Sequence, residues 1–256
     1  MKYAIFKKND KDVSGVVNNL LKECTHHEMC LDEDDPDIVF VLGGDGTFLK
    51  AVHHYLHKLD TVKFAGIRCG TLGFFYSYDP TDVSLLVEMI ASNSFSEESH
   101  NLIECDLGEK IIYAVNEIRF ENPFHTLVCS VSVNDEQLEK FHGNGLLVCS
   151  ELGSTAYNKS LGGAVIYRNL EVLQLTEIST IQNNLYRSLG SSLIVPKDMA
   201  FTFEGDFTNV VIGYDHLTSE CQGLKTFKVH ASDKKVHIIT EKNPNPLSAI
   251  KRSFIK

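Results

Sequence analysis

The sequence predicts an α/β plus β protein, in which an N-terminal Rossmann-like α/β domain with a parallel sheet precedes a mostly β domain. Between residue 2 and about residue 92, short apolar runs alternate with segments whose apolar residues recur at helical spacing. From about Asn101 apolar residues instead alternate with polar ones, which is typical of antiparallel strands. We place the domains at residues 1–100 and 101–256, with a terminal segment that can return to the first domain.

In the first half, strands are predicted at residues 3–6, 37–42 and 63–67. The run at 37–42 is continuously apolar, as expected of a strand that is covered on both faces of a parallel sheet. Apolar residues with helical spacing follow the strands, at residues 13–21, 48–56 and 83–90, and Pro80 suits the first turn of the last helix.

In the second half, strands are predicted at residues 111–120, 126–133 and 137–141, with a turn at Asn134 and Asp135. Ser154 and Thr155 can cap a helix in the one stretch, up to about Tyr186, that lacks a strand pattern. The segment from 226 to 240 is again strand-like and can belong to either domain.

Composition limits the possible partners and the compartment. With 34 acidic and 24 basic residues the net charge is −10, which repels nucleic-acid phosphates and anionic lipid surfaces. We therefore expect no nucleic-acid or membrane partner. Seven cysteines without a Cys-x-x-Cys pair indicate a reducing compartment. Because no leader pattern and no apolar run of membrane-spanning length is found, we expect a cytoplasmic protein.

A glycine-rich loop, Gly43-Gly44-Asp45-Gly46-Thr47, follows the apolar strand and precedes a helix. Open α/β sheets bind ligands at this end of their strands. The glycines let a diphosphate approach the main chain, and Asp45 offers a base for a substrate hydroxyl. Thr47 can cap the helix or contact a phosphate. The alternative is a tight turn in which Asp45 is a solvated capping carboxylate.

Two common nucleotide-binding motifs are absent from the sequence. It contains neither a Walker-type loop nor a Gly-x-Gly-x-x-Gly motif that supports an ordinary dehydrogenase.

Four ordered motifs resemble those of the NAD kinase family, in particular its short Gram-positive type: the loop at 43–47, Gly70-Thr71-Leu72-Gly73-Phe74, Val115-Asn116-Glu117, and the stretch from Gly153 to Gly163. The first loop is also found in diacylglycerol kinases, sphingosine kinases and phosphofructokinases, so the later motifs make the choice. The resemblance extends from Asp37 to beyond His216.

The resemblance implies a role for each matching residue. Asp45 would be the general base, and Gly43, Gly44, Gly46 and Thr47 would contact phosphates. Contacts with the dinucleotide are implied for Asp45, Gly46, Phe74, Asn116, Glu117, Thr155, Ala156, Tyr157, Ser160 and His216. The chemistry agrees, because an amide both donates to and accepts from adenine, a carboxylate binds ribose hydroxyls, and a tyrosine ring offers a flat face to a base. The alternatives are a helix cap with core packing at 155–160 and a backbone-bonded turn histidine at 216.

The chain departs from the family pattern at two places. His142 and Asn144 stand where the family has Arg or Lys and an Asp that faces the nicotinamide, and we retain both as substrate-binding residues. Loss of that carboxylate weakens a preference for cationic NAD⁺ over NADH, and phosphate affinity at His142 becomes sensitive to pH. Glu151 and Leu152 replace the usual Pro and Thr or Ser.

The implied function is phosphorylation of the adenosine-ribose 2′-hydroxyl of NAD by ATP, with NAD between the two domains, Mg²⁺ arriving with ATP, and assembly as a homotetramer. No structural metal is assigned, because the histidines at 53, 54 and 57 lack a His-Glu-x-x-His pattern and the group of Cys24, His26, His27 and Cys30 matches no standard zinc spacing. Two alternatives remain open: a lipid kinase with the same loop, and a catalytically silent dinucleotide-binding regulator, suggested by His142 and Asn144.

Overall fold

The computed structural model describes residues 1–8, 12–70, 73–108, 110–221, 223–241 and 245–255. The chain divides into two compact units, Met1–His100 with Lys234–Lys256, and Asn101–Asp233. Within the described residues, no helix is both long enough and apolar enough to cross a membrane.

The strands, in chain order, are β1 (Lys2–Lys7), β2 (Cys30–Leu31), β3 (Ile38–Gly43), β4 (Lys63–Arg68), β5 (Ser96–Asp106), β6 (Ile111–Ala114), β7 (Glu117–Glu121), β8 (Leu127–Val133), β9 (Glu136–Gly143), β10 (Gly145–Ser150), β11 (Val172–Ile178), β12 (Leu193–Pro196), β13 (Ala200–Gly205), β14 (Val211–Tyr214), β15 (Leu217–Glu220) and β16 (Thr226–Thr240). The α-helices are α1 (Ser14–His26), α2 (Asp45–His54), α3 (Val83–Ala91), α4 (Tyr157–Ser160) and α5 (Pro246–Phe254).

The first unit contains a parallel sheet in the order β2–β1–β3–β4, and the end of β16 pairs with β4, also in parallel. All six residues of β3 are buried, which explains its unbroken apolar sequence. The three predicted strands correspond to β1, β3 and β4, and the three predicted helices to α1, α2 and α3. Pro80 opens a 3₁₀ turn ahead of α3, where Asp79 and Asp82 cap each other's backbone. The predicted α/β architecture of this half is confirmed.

The second unit is mostly β, as predicted. One antiparallel sheet has the order β12–β11–β10–β7–β14–β15, and the first part of β16 pairs with β13, followed by β8 and β9. Their buried side chains form one core, in which the Phe120 ring stacks on Phe227 at 4.7 Å and lies 5.0 Å from Phe203. Asn134 and Asp135 form the predicted turn between β8 and β9, with φ angles of 46° and 69°.

The prediction of one strand over residues 111–120 is wrong, because the strand stops after β6 and resumes at β7. The carboxylate of Asp215 accepts hydrogen bonds from the backbone N–H groups of Val115 at 2.8 Å and Asn116 at 2.7 Å. The two N–H groups are therefore satisfied by a side chain and not by the backbone of a neighbouring strand. Burial continues through the break, so the apolar pattern of the sequence does not reveal it.

The prediction that Ser154 and Thr155 cap a helix is also wrong. Residues Gly153–Thr155 form a 3₁₀ turn, and α4 after them is only one turn long, without a side-chain cap. The buried Ser154 hydroxyl instead donates to the carbonyl of Glu151 at 2.8 Å and accepts from the N–H of Ile166 at 3.0 Å. This side chain therefore stabilises the loop that follows α4.

Candidate active site

The glycine-rich loop joins β3 to α2. Gly44 is extended, with φ −123° and ψ 175°, and α2 begins at Asp45. A Cβ on Gly43 would lie 2.4 Å from Oγ1 of Thr47, so only glycine lets that hydroxyl lie against the end of the strand. Gly46 is exposed, and beyond its chain neighbours and its own helix no described atom lies within 4 Å of its Cβ position. The first turn of α2 is thus accessible, and a helix N-terminus favours anions.

The Asp45 carboxylate is fixed by a second loop. Its Oδ1 atom accepts the N–H of Phe74 at 2.8 Å and the N–H of Phe75 at 3.2 Å. No side chain caps α2, and Thr47 is buried in its first turn. The interpretations of Thr47 as a helix cap and of Asp45 as a capping carboxylate are therefore wrong. Two N–H donors hold Asp45 in one orientation, as a positioned base requires.

The loop that supplies these donors contains the second glycine motif, of which Thr71 and Leu72 lie outside the described residues. A Cβ on Gly73 would lie 2.6 Å from the Tyr76 ring and 3.2 Å from Oδ1 of Asp45. The Tyr76 hydroxyl donates to the Gly44 carbonyl at 2.7 Å. Burial, reinforced by the charge of Asp45, raises the pKa of Tyr76, so this hydroxyl stays a donor. The two motifs meet at Asp45.

In the second unit, the Val115–Glu117 segment is held in the break between β6 and β7. Besides the two bonds to Asp215, the Ser150 hydroxyl donates to the Val115 carbonyl at 2.7 Å, and the Ser150 N–H donates to the Asn116 carbonyl at 3.0 Å. A Cβ on Gly153 would lie 2.0 Å from that same Asn116 carbonyl oxygen. Gly153 is therefore required for the close approach of the third and fourth motifs.

Two buried acceptors in this segment have no hydrogen-bond donor among the described residues: Oδ1 of Asn116 and Oε2 of Glu117. A buried polar atom without a partner costs about 1–3 kcal/mol, so such atoms indicate a place where a ligand supplies the missing donor. Burial, together with the charge of Asp215, raises the pKa of Glu117 to about 8, against the opposing charge of Arg119. Near neutral pH, Glu117 therefore holds a proton and can donate as well as accept.

An ionic chain connects Glu117 to Tyr157. The guanidinium of Arg119 donates from Nε to Oε2 of Glu121 at 2.7 Å and lies 3.5 Å, at Nη1, from Oε1 of Glu117. It also lies 5.7 Å from the centre of the Tyr157 ring, and the Tyr157 hydroxyl donates to Glu121 at 3.4 Å. A Cβ on Gly213 would lie 2.4 Å from Cζ of Arg119, so that glycine makes room for the guanidinium.

Around α4, Thr155, Ala156 and Tyr157 are half-buried, and Ser160 is exposed. Their backbone is held by Asn158, which is fully buried. Its Nδ2 donates to the carbonyls of Ser154 and Ala164, both at 3.1 Å, and its Oδ1 accepts the Thr176 hydroxyl at 2.7 Å.

Of the remaining predicted residues of this unit, His142 lies in β9, and Asn144 and His216 lie in turns. The half-buried ring of His142 lies against the Tyr186 ring, with centroids 4.1 Å apart and planes inclined by 31°. Asn144 donates from Nδ2 to the Asn122 carbonyl at 3.1 Å. His216 is exposed in the turn between β14 and β15.

Sequence reasoning missed the residues that support the site. Asp215, Ser150 and Asn158 hold the predicted residues in place, but each looks like an ordinary polar residue in the sequence. Asp215 lies 99 positions from the N–H it binds on Asn116, and nothing in the sequence joins the two. Within the described ranges, no group of three or more His, Cys, Asp or Glu residues could hold a metal ion.

The first unit thus contains a carboxylate that is fixed beside a helix N-terminus. The second unit contains buried polar atoms without a hydrogen-bond donor among the described residues, and the ring of Tyr157 belongs to the same unit. The first feature is typical of phosphoryl transfer and the second of nucleoside recognition. Together they define the class of protein as a phosphotransferase that acts on a nucleotide.

Comparison with known proteins specifies the class. Residues 4–95 match the family described as ATP-NAD kinase N-terminal domain. The chain is 32% identical to the NAD kinase of Leuconostoc citreum, covering 100% of this chain and 98% of the relative. It is 35% identical to NAD kinase 1 of Bacillus cereus, covering 93% of each, and 34% identical to NAD kinase 1 of Listeria monocytogenes, covering 100% of each. The chain belongs to the NAD kinase family. This full-length similarity also decides against the lipid kinase alternative.

Solved structures show the same fold. An NAD kinase from Archaeoglobus fulgidus in complex with ATP matches with a TM-score of 0.77 and 18% identity, over 98% of this chain and 95% of that one. A yeast NADH kinase complexed with NADH matches with a TM-score of 0.82 and 18% identity, over 100% of this chain and 87% of that one. The arrangement of an α/β half and a mostly β half is therefore one that NAD kinases adopt.

Proposed function

We propose that this chain is an NAD kinase, which transfers the terminal phosphoryl group of ATP to the 2′-hydroxyl of the adenosine ribose of NAD and releases ADP and NADP. The observation that carries this assignment is the carboxylate of Asp45, which two backbone N–H groups hold at the first turn of α2. Family membership supplies the substrate pair, and this geometry supplies the base that the reaction needs.

In the proposed mechanism, Asp45 accepts the proton of the ribose 2′-hydroxyl. The oxygen forms a bond to the terminal phosphorus of ATP while the bond from that phosphorus to the bridging oxygen of ADP breaks. The backbone of Gly43, Gly44 and Gly46 and the start of α2 stabilise the phosphate charge. The buried side chain of Thr47 packs against Gly43 and stabilises the turn. Phe74 positions Asp45 through its N–H and forms an apolar wall of the site.

The second unit binds the nucleoside. The unpartnered Oδ1 of Asn116 accepts the exocyclic amine of adenine, and Glu117 bonds to ribose hydroxyls. Tyr157 stacks on a base, and the neighbouring Thr155, Ala156 and Ser160 line the same dinucleotide. His142, Asn144 and His216 contact its phosphate and nicotinamide portions. The assignments of Asn116 and Glu117 are supported by their buried oxygens that lack a donor among the described residues, because a bound nucleoside would supply the missing donors.

The divalent cation of the proposed reaction is supplied as a complex with ATP, the phosphoryl donor. We assign Mg²⁺ to the phosphates of ATP, where it neutralises charge on the transferred group. Since the described residues form no cluster suited to hold a metal, no protein ligand is assigned and no step depends on one.

We further propose that the enzyme is cytoplasmic and works as a homotetramer. Large apolar side chains are exposed in the second unit, led by Phe124 at 87% and Leu185 at 85% exposure. Others in that unit are Val165, Tyr167, Leu170, Leu189 and Ile194. These exposed side chains support the proposal, because self-association would remove them from water.

The test is a coupled assay of NADP formation by the purified protein, with NAD or NADH as acceptor and ATP or polyphosphate as donor. We expect turnover with NAD and ATP in the presence of Mg²⁺. A protein that binds NAD and ATP but forms no NADP or NADPH with either donor would contradict the proposal and favour a silent dinucleotide-binding regulator.

A further inference from the structure

Helix α5 is the part of the first unit to which no role has been assigned. It carries Lys251 and Arg252, both exposed, and the segment from 245 to 255 contains no acidic residue. In a chain of net charge −10, a helix whose charged residues are all basic needs an explanation. The explanation begins with what the helix contacts.

The last turn of α5 packs on the loop that fixes Asp45. The ring of Phe254 lies against the ring of Phe74, with centroids 5.5 Å apart and planes inclined by 31°. The backbone N–H of the same Phe74 donates to Asp45 at 2.8 Å. A single aromatic contact therefore separates α5 from the proposed catalytic carboxylate, and both partners of that contact belong to the first unit.

Helical spacing places one of the two cations on the same side as this contact. Lys251 precedes Phe254 by three residues and lies on the same face of the helix, whereas Arg252 precedes it by two and lies on the opposite face. The Lys251 side chain is therefore the one that the helix presents toward the Phe74 loop.

Several cations of the first unit are held by carboxylates. Arg68 is bound by both oxygens of Asp79, Lys58 pairs with Asp35, and Lys63 pairs with Glu97 at 2.6 Å. Lys251 is exposed and has no ion-pair partner among the described residues, so its ammonium group is available to a ligand. A flexible ammonium is a suitable point charge for a phosphate chain.

We propose that Lys251 binds the phosphate chain of the ATP donor, and that the contact of Phe254 with Phe74 fixes α5 in the position where it can do so. This inference rests on the proposed function and extends it to the donor subsite. It explains how a protein whose overall charge repels ATP holds a triphosphate, because a local cation on the helix that packs on the Phe74 loop offsets that repulsion. Phe254 is thus a positioning residue and Lys251 a substrate-binding one.

The chain offers a matched control for the charge. Lys251→Gln and Arg252→Gln remove the same charge from neighbouring positions of one helix, but on opposite faces. We expect Lys251→Gln to raise the KM for ATP about tenfold, the size of one charge-assisted contact, with the KM for NAD nearly unchanged. The KM for ATP in that variant should also depend less on salt. Arg252→Gln should leave both KM values close to wild type. Equal effects of the two variants on the KM for ATP, or no effect of Lys251→Gln, would overturn the proposal.

The aromatic contact is tested with Phe254→Ala and Phe254→Leu. The alanine variant should raise the KM for ATP and lower kcat, because both α5 and the Phe74 loop lose their contact, while leucine should restore most of the loss. If alanine changes only thermal stability and neither kinetic constant, the positioning role is overturned.

Direct titration of Mg²⁺-ATP by calorimetry separates this inference from the proposed function. Weaker ATP binding by Lys251→Gln would support the donor subsite even in a protein that forms no NADP, and unchanged binding would count against it.

Discussion

Glu117 combines burial with three charged neighbours, Asp215, Arg119 and Glu121, and the outcome is a carboxyl group with a pKa of about 8. Because this pKa is raised above its ordinary value near 4.5, the native protein binds a proton that the unfolded chain releases. The associated stability is fully present below about pH 4.5 and is lost as the pH rises through about 8.

Glu117→Gln keeps the shape of the side chain and removes its titration. Each pKa unit corresponds to about 1.4 kcal/mol, and about three units separate pH 5 from the raised pKa, so we expect wild type to lose roughly 3–4 kcal/mol more than the variant between pH 5 and pH 8. Urea unfolding at several pH values measures the difference. Parallel pH profiles for the two proteins would show that Glu117 is not the group responsible.

Asn144 stands where the resemblance to the family leads us to expect an aspartate. Its Nδ2 donates to the Asn122 carbonyl, a bond that an aspartate cannot make. Asn144→Asp therefore costs about 1 kcal/mol of stability, but it also adds a negative charge. We expect the variant to bind NAD⁺ more tightly relative to NADH, because only the oxidised nicotinamide is cationic. Titration with both dinucleotides gives the ratio, and equal changes in the two affinities would contradict the expectation.

At the scale of elements, the break between β6 and β7 holds Asn116 and Glu117, for which nucleoside binding is proposed. Asp215 stabilises that break with two charge-assisted bonds to buried N–H groups, at 2.8 and 2.7 Å. Asp215→Ala leaves both donors unsatisfied, and we expect it to lower the free energy of unfolding by about 3 kcal/mol and to raise the KM for NAD. Asp206→Ala, at an exposed aspartate of the same unit, is the matched control. A variant at Asp215 as stable as this control would show that other contacts hold the segment.

The sequence predicts the elements whose signal is local, and it fails where the determinant is distant. β3 and α2 follow from an apolar run, a glycine turn and helical spacing within about 20 residues, and all three are found. The gap after β6 depends on Asp215, which is 99 positions further along than Asn116. The hydroxyl of Ser154 resembles a helix cap until the carbonyl of Glu151 is seen to be its acceptor. The motifs were recognisable in the sequence, whereas the side chains that hold them were not.

For the whole molecule, sedimentation tests the homotetramer proposed above. We expect the protein to sediment at four times its chain mass of 28.7 kDa. Leu185→Glu, which places a charge on one of the most exposed apolar residues, should shift the population to smaller species. Lys22→Glu, at an exposed site in the first unit, should not. A wild-type protein that sediments as a monomer would contradict the proposed assembly.

The central claim is that this chain is an NAD kinase in which the carboxylate of Asp45 is the proposed general base of phosphoryl transfer. The most direct test is ATP-dependent NADP formation by wild type, Asp45→Asn and the exposed control Asp60→Asn, with NADP binding measured on each protein. We expect Asp45→Asn to lose about 10²- to 10⁴-fold in kcat while it still binds NADP, and Asp60→Asn to match wild type. An Asp45→Asn enzyme that turns over NAD at the wild-type rate would contradict the account.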